Sequence, residues 1–330
     1  MLNYEVRWMM KDAYSTKAVN MAFYDKITSD DHSLVKDAQQ AVNDFTRTKM
    51  REDGFWRKIL PPVPITNDEL DRQVDTEKNV KVVDKEPDSP AAISIPYATL
   101  PMNRYIQGPR YRVMFDRIVT ANFTTDVGRL RTWDMDIRQV LSDNSIKDML
   151  AEEDGKAVRA LTALLLGANQ VIPETGVSQW RTIDGGITRE TVNDALKIMP
   201  QTPSHLEPAT ALVNSVFVKD LQKWGRDEVG GDLSEEIVRN GFAERVMFGV
   251  RFIITIKRDL VGDATMYMFA EPKFLGKFFI LEDTTMHIEK KAYMLNFFAY
   301  EEIGSAIGNI AAVARADFSG SVQDLDIWRY

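Results

Sequence analysis

The sequence predicts an α+β fold, and three observations carry that prediction. Helical and strand-like segments alternate without the regular βαβ spacing of a doubly wound sheet. One amphipathic stretch, Ile146–Leu166, is long enough to run the length of a domain. The third is a segment foreign to a compact domain. From about Leu60 to Gly108 the chain is polar and almost without helical period. Eight of the thirteen prolines fall there or directly after it: Pro61, Pro62, Pro64, Pro87, Pro90, Pro96, Pro101 and Pro109.

That segment holds two short strand-like runs, Val80–Lys85 and Ala91–Tyr97. A structureless insertion of this length is improbable inside a compact domain, and the β-branched and aromatic residues of both runs argue against disorder. A long two-stranded arm projecting from the body fits better. An isolated hairpin is marginal in water, so such an arm needs a neighbouring molecule to lie on. The segment points to an assembly and not to a catalyst, and deleting Asp68–Ala98 should leave the body folded.

The elements follow in order. The first thirty residues lack a sustained period and read as an extended arm. From Ser33 the pattern turns helical, with Val35, Ala38, Val42 and Phe45 on one face until Asp53-Gly54. Phe55, Trp56, Ile59 and Leu60 form an apolar knot before the proline-rich arm. Tyr111–Thr125 alternates as a strand returning to the body. Thr132–Leu141 is amphipathic, and Ser145 can N-cap a second helix with Asp148 at its third position. Ile146, Met149, Leu150, Val158, Leu161, Leu164 and Leu165 mark one stripe of that helix, and Gly167 stands where a C-terminal cap belongs. About twenty residues give it a length of roughly 30 Å. Taken alone, it reads equally as a core helix of any α/β or α+β protein.

Thr188 caps a helix carrying Val192, Leu196 and Met199, stopped by Pro200. Ala209–Val213 is a short buried strand. Asn214 or Ser215 caps a helix to Trp224 with Gly225 as terminator, and Asp232 caps Leu233–Asn240 before Gly241. Arg245–Ile256 and Thr265–Ala270 are strands, with Gly249 a bulge or close approach. Phe278–Ile280, a long run around His287–Tyr300, and Ile310–Phe318 complete a strand-rich C-terminal part. No repeat has a fixed period.

Composition bounds the function. With 44% apolar and 27% charged residues, globular folding is expected. The chain has no cysteine, which removes disulfides and thiolate metal sites. The first fourteen residues, MLNYEVRWMMKDAY, lack the apolar core of a secretory signal, and no stretch approaches the apolar length of a transmembrane helix. The net charge of −8 disfavours tight non-specific binding to DNA phosphates. It does not disfavour a protein that contains nucleic acid while barely gripping it.

Catalytic signatures are missing. There is no GxxxxGK, no GxGxxG and no GxSxG. His32, His205 and His287 are far apart in sequence. His287 and Glu289 can share a strand face, but two ligands make a poor zinc or iron site. Asp134 and Asp136 read as acids favoured by a helix dipole, and Glu152-Glu153-Asp154 as a solvated helix face. The aromatic residues show no basic interleaving of the kind that lines a single-strand groove. No catalytic, cofactor-binding or metal-binding residue is assigned, and no cofactor is expected. Catalytic constellations assembled from distant residues leave no motif, so a cytosolic enzyme with a proline-rich lid stays as an alternative.

The order of parts resembles the major capsid proteins of tailed bacteriophages, the Hong Kong 97-type shell fold. Residues 1–60 look like that family's N-arm with a helix, and 61–110 like its extended hairpin, the E-loop. Residues 111–187 resemble the peripheral domain, with Ile146–Leu166 as its spine helix, and 188–280 the axial domain. Residues 281–330 resemble the returning peripheral strands and the final axial strand. The blocks LVNSVFVKDLQKWGRDEVGG, RVMFGVRFIITIKRDL and TMYMFAEPKF match the axial core in order and texture. Gly249-Val250-Arg251-Phe252 and Lys257-Arg258-Asp259-Leu260 match a strand and its polar turn, and GNIAAVARADF the last strand. The resemblance covers almost the whole chain.

It implies a structural subunit of an icosahedral phage head around double-stranded DNA, with no sequence-specific DNA binding and no membrane. The partners implied are copies of itself in hexamers and pentamers, a portal and cement proteins. The virion would be assembled in the host cytoplasm. Some members carry an N-terminal scaffolding segment; here Met1 leads directly into the arm, so a scaffold would be a separate protein. An encapsulin-like nanocompartment shares the fold and is the alternative. Lys78, Lys81 and Lys85 read as solvating residues of an exposed edge, not as cross-linking sites. Gly225–Asp232 (GRDEVGGD), with three glycines, is the candidate tip of the axial domain, where copies would meet around a capsomer axis.

Overall fold

A computed structural model describes residues 13–28, 33–37, 39–40, 54–71, 77–85, 94–97, 100, 108–126, 128, 137–168, 179–202, 204–221, 224 and 246–320. The expected helix Leu233–Asn240, the loop Gly225–Asp232, His32, Asp134 and Asp136 lie outside these residues.

Helices and sheets segregate into an α+β arrangement, as expected. The first sheet is dominated by one long hairpin, β11 (Gly276–Lys291) with β12 (Met294–Ile307), in antiparallel register from Gly276↔Ile307 to Lys291↔Met294. The two strands turn over Ala292-Tyr293, with Ala292 in the left-handed region at φ 56°. Strands β4 (Asp116–Val119) and β5 (Phe123–Asp126) pair with successive stretches of β12. Strand β1 (Val63–Pro64) adds two parallel residues to β11. Tyr111–Thr125 is therefore not one strand but parts of three: β3 (Arg110–Met114), β4 and β5.

The second sheet runs β6 (Trp180–Ile183), β13 (Val313–Phe318), β10 (Thr265–Phe269), β7 (Thr210–Asn214), β9 (Val250–Thr255) and β8 (Val246–Met247). Every residue of β10 is buried, the signature of a strand covered on both faces. Strands β7 and β9 are parallel, so a crossover must join them. Gly249 is no bulge: Phe248 and Gly249, at φ 54° and 76°, form the two-residue turn between β8 and β9. Positive φ at both central residues is the hairpin turn that matches strand twist.

Two helix starts follow the local chemistry read from the sequence. Helix α4 (Arg189–Leu196) opens on a capping box, in which Thr191 N donates to Thr188 Oγ1 and Thr188 N donates to Thr191 Oγ1. Helix α5 (Ser215–Leu221) is capped by Asn214, whose Oδ1 accepts from Val216 N at 3.1 Å. Two expectations fail. Ala13–Thr28 is helix α1, not an extended arm, because Phe23, Tyr24 and Ile27 bury against Met286, Ile288, Leu295 and Phe297 of the first sheet. Ser145 is not a cap: α3 is one continuous helix, Ile137–Ala168, of 32 residues and about 48 Å, with Ser145 buried inside it.

Helix α3 bridges both sheets. Ile146, Met149 and Leu150 pack on Ala299 of β12, while Leu161 and Leu165 enter the main core of the second sheet. Each such side chain contributes about 1.5–3 kcal/mol on burial. The short turn α2 (Phe55–Ile59) sends Phe55, Trp56, Ile59 and Leu60 into the same main core. No helix among the described residues is long and apolar enough to cross a membrane.

The proline-rich segment does form a ribbon, but with a different partner from the one its sequence suggests. Strand β2 (Val80–Asp84) pairs antiparallel with β3, from Val80↔Met114 to Asp84↔Arg110. Ser94–Tyr97 is not strand, and residues 91–93 lie outside the described ones. The ribbon's root belongs to its own subunit. Val113, Phe115, Ile65 and Phe279 form a buried cluster, with Val83, Tyr111 and Leu281 packed on it. Val80 is 1% exposed. The Asp68–Ala98 deletion would remove this strand, so the expectation that such a deletion spares the body is corrected.

Candidate functional site

The candidate functional region built by these elements is the root of the arm, where the chain leaves the body. Four apolar residues of Phe55–Leu60 are buried, and Arg57 goes down with them to 5% exposure. A guanidinium cannot be left dry without partners. Helix α3 supplies Glu153, which accepts from Arg57 Nε at 3.1 and 3.0 Å and from Nη2 at 2.8 Å. Strand β12 supplies Glu301, whose Oε2 accepts from Arg57 Nη2 at 2.9 Å and from Thr284 Oγ1 at 3.0 Å.

The next residue of α3 repeats the pattern. Asp154 accepts from Lys257 Nζ at 2.6 Å and from the backbone N–H of Trp56 at 3.2 Å. Lys257 Nζ also donates to Leu150 O at 3.0 Å. The indole of Trp56 meets Phe269 edge-on at 6.3 Å. One turn of chain is thus pinned by apolar burial on one side and by two acids of α3 on the other.

Electrostatics at this root are dominated by burial. Burial pushes the Glu153 carboxyl up to about 7, against the opposing pull of Arg57. It raises Asp154 and Glu301 as well. Burial is also the largest influence on Arg57 and works against its charge, but Glu153 and Glu301 together outweigh it and leave the guanidinium above its usual value. The upward directions on cation and acids are compatible, because one cation serves two acids. A cavity of about 530 Å³ opens beside them, lined by Arg57, Pro62, Pro64, Ile65, Ile280, Leu281 and Asp283.

The ribbon itself packs against two glycines, Gly304 within β12 and Gly308 just after its end. A Cβ on Gly304 would sit 3.0 Å from Met114 O, and one on Gly308 would sit 2.6 Å from Cε1 of Tyr111. Gly308→Val is therefore expected to displace Tyr111 and destabilise the subunit by about 1–3 kcal/mol. Urea unfolding of wild type and variant checks this, and an unchanged midpoint would show that the ribbon yields without strain.

The positions weighed in the sequence fall elsewhere. His287 and Glu289 do share an exposed face of β11, but His287 packs at a tilt of 47° against Phe298, with ring centroids 5.0 Å apart. No group of three or more potential metal ligands occurs among the described residues. His205 has φ 47° and its Nδ1 lies 3.1 Å from Pro200 O. Lys78 pairs with Asp116 at 2.6 Å on the surface. Glu152-Glu153-Asp154 is not a solvated face: Glu152 is exposed, while Glu153 and Asp154 are buried. The helical period could have found them, since they stand four residues after Met149 and Leu150 and four before Ala157 and Val158 on the apolar stripe.

No family model matches the chain, and no curated protein matches it by sequence. Solved structures do. The chain is similar to the mature capsid of bacteriophage PhiM1, with a TM-score of 0.55 and 11% identity over 81% of this chain and 87% of that one. It is similar to a chain of Mycobacterium phage Che8, with a TM-score of 0.53 and 13% identity over 74% and 86%. It is also similar to a virus-like particle from Pyrococcus furiosus, with a TM-score of 0.51 and 12% identity over 84% and 98%. At such identities the likeness is one of fold. The chain has the Hong Kong 97-type capsid fold.

Proposed function

We propose that this protein is the structural subunit of a closed icosahedral phage head that encloses double-stranded DNA. The observation that carries the reading is the likeness to the PhiM1 mature capsid across four fifths of the chain. The ribbon supports it. Its root is built into the subunit, whereas Tyr97 and Leu100 beyond the root stand almost wholly in solvent. Exposed apolar residues on a projecting segment call for a covering surface, and neighbouring copies supply one. Many moderate contacts of this kind multiply through avidity in a closed shell.

The subunit acts by interlocking and not by catalysis. Its partners are copies of itself in hexamers and pentamers, a separate scaffolding protein, a portal and cement proteins, and assembly takes place in the host cytoplasm. The peripheral part comprises the first sheet with α3, and the axial part the second sheet. Gly225–Asp232 remains the candidate tip at the capsomer axis. The chain's net charge of −8 suits a wall that contains DNA without adhering to it.

The likeness to the Pyrococcus furiosus particle, 98% of whose chain is covered, keeps an empty or cargo-filled nanocompartment as the second reading. Size-exclusion chromatography with light scattering, followed by negative-stain microscopy, is expected to show hexamers, pentamers or closed particles. Nucleic acid inside particles from infected or lysogenic cells favours the phage head over the nanocompartment. A stable monomer at high concentration under assembly conditions would sink both.

A further inference from the structure

Five ionisable side chains meet where α2 docks. Arg57 comes from α2, Glu153 and Asp154 from α3, Lys257 from the turn after β9, and Glu301 from β12. Asp283 of β11 adds a further negative charge to the surroundings of Glu301. Three acids thus face two cations within the cluster. Fully ionised, it would hold a net charge of about −1 in a low-dielectric interior, where an uncompensated charge costs several kcal/mol.

The hydrogen bonds are uneven in a way that bears on this excess. Oε2 of Glu301 accepts from both Arg57 and Thr284, whereas Oε1 of the same fully buried carboxyl has no hydrogen-bond partner among the described residues. An ionised carboxylate spreads its charge over both oxygens and loses most when one of them is dry. A carboxylic acid that accepts at Oε2 and carries its proton on Oε1 leaves only a neutral hydroxyl in the dry position.

We propose that the Glu153–Glu301 carboxyl pair holds one proton at neutral pH, seated on Glu301 Oε1, and that its loss at alkaline pH loosens the Phe55–Leu60 turn from α3 and β12, making the root of the arm a proton-linked latch. The cavity lined by Arg57 and Asp283 brings water to the edge of the cluster. Removing the proton leaves one cation, Arg57, to hold two full negative charges. Opening the turn hydrates all three groups. The turn that opens is the one that leads into the arm through Pro61 and β1.

The direction in pH follows from the shifts. The two carboxyls share Arg57 and titrate as a pair: burial pushes Glu153 up to about 7 against an ordinary 4.5 and raises Glu301 in the same direction. Between those values the folded chain binds more protons than the unfolded one, so unfolding free energy falls as pH rises through the window. The latch is closed at about pH 5–6 and weakest above about pH 8.

Urea unfolding of the full chain, followed by tryptophan fluorescence from about pH 5 to about pH 8.5, tests this. The folding constant of the wild type is expected to fall on the order of a hundredfold. Glu301→Gln, which fixes the neutral form, should fall at least tenfold less. Repulsion from the chain's net negative charge acts on both proteins and cancels in the comparison. Equal slopes overturn the proposal.

Should the variant fail to fold, the wild type alone decides. Infrared spectroscopy is expected to show a buried protonated-carboxyl C=O stretch at neutral pH. That band should vanish on alkalinisation in step with faster amide exchange at Trp56 and Leu60, after correction for the intrinsic rate. No such band at neutral pH overturns the latch. Both measurements read the folded subunit whether or not it assembles, so they stand or fall separately from the shell reading.

Discussion

Arg57→Met is expected to cost the subunit about 3–5 kcal/mol of unfolding free energy at neutral pH, the usual loss when one partner of a buried ion pair is removed. The methionine refills the space of the aliphatic stem, so the loss reports the charge and not a cavity. Glu153 and Glu301, at 1% and 0% exposure, would keep their burial and lose the cation they share. The carboxyls of the variant must then take up protons to stay buried. Their folded-state pKa values rise further above the unfolded value, so the loss is smaller at acidic pH and larger at alkaline pH.

An exposed pair sets the contrast. Lys197 and Asp194 meet at 2.7 Å with both side chains more than half exposed, and Lys197→Met should move stability by no more than about 1 kcal/mol. Removing the whole triad, by Arg57→Met with Glu153→Met and Glu301→Leu, should recover most of the single variant's loss, because no unpaired charge remains. Chemical unfolding measures all three proteins. A loss below about 1 kcal/mol for Arg57→Met would mean that water already reaches the carboxyls.

Shortening the arm is expected to separate folding from assembly. Residues 86–108 replaced by Asn-Gly would close β2 onto β3 just beyond the contact of Lys85 N with Pro109 O, using the turn that two-residue hairpins favour. Val80, Val83, Tyr111 and Val113 keep their places, so the body should retain its circular dichroism and its melting temperature within a few degrees. Closed particles should disappear from micrographs, with capsomers or monomers in their place. Deleting Asp68–Ala98 instead takes β2 away, exposes Val113 and Phe279, and should unfold or aggregate the subunit. Normal particles from the shorter arm would show that the segment beyond Lys85 holds nothing together.

The sequence carried the α+β class, because that rests on periodicity, and it carried the capsid-type fold through its resemblance to the Hong Kong 97-type family. It also carried the starts of α4 and α5, where Thr188 and Asn214 act through bonds to residues two and three positions away. What it hid was decided across the chain. The pairing of Val80–Asp84 with Arg110–Met114 rests on Val83 and Tyr111 sharing a cluster with Phe279, which no local pattern reveals. Ser145 looked like the cap of a second helix, but burial of Ile146, Met149 and Leu150 against Ala299 of β12 carries the helix through. The Ala292-Tyr293 turn contains no glycine, asparagine or aspartate, so the hairpin around it read as one long strand. Arg57, Glu153 and Glu301 were passed over because a charge in an apolar knot and an acidic triplet each look unremarkable alone.

The span of the Arg57–Glu301 contact also orders events in time. The two residues are 244 positions apart. At about 5–20 residues per second, a ribosome adds the second roughly 12–50 s after the first. Throughout that interval the nascent chain contains its arm but cannot lock the arm's root. On the shell reading, a half-made subunit would meet its neighbours with the root of its arm still unlocked, and this one contact would distinguish finished chains from those still in translation.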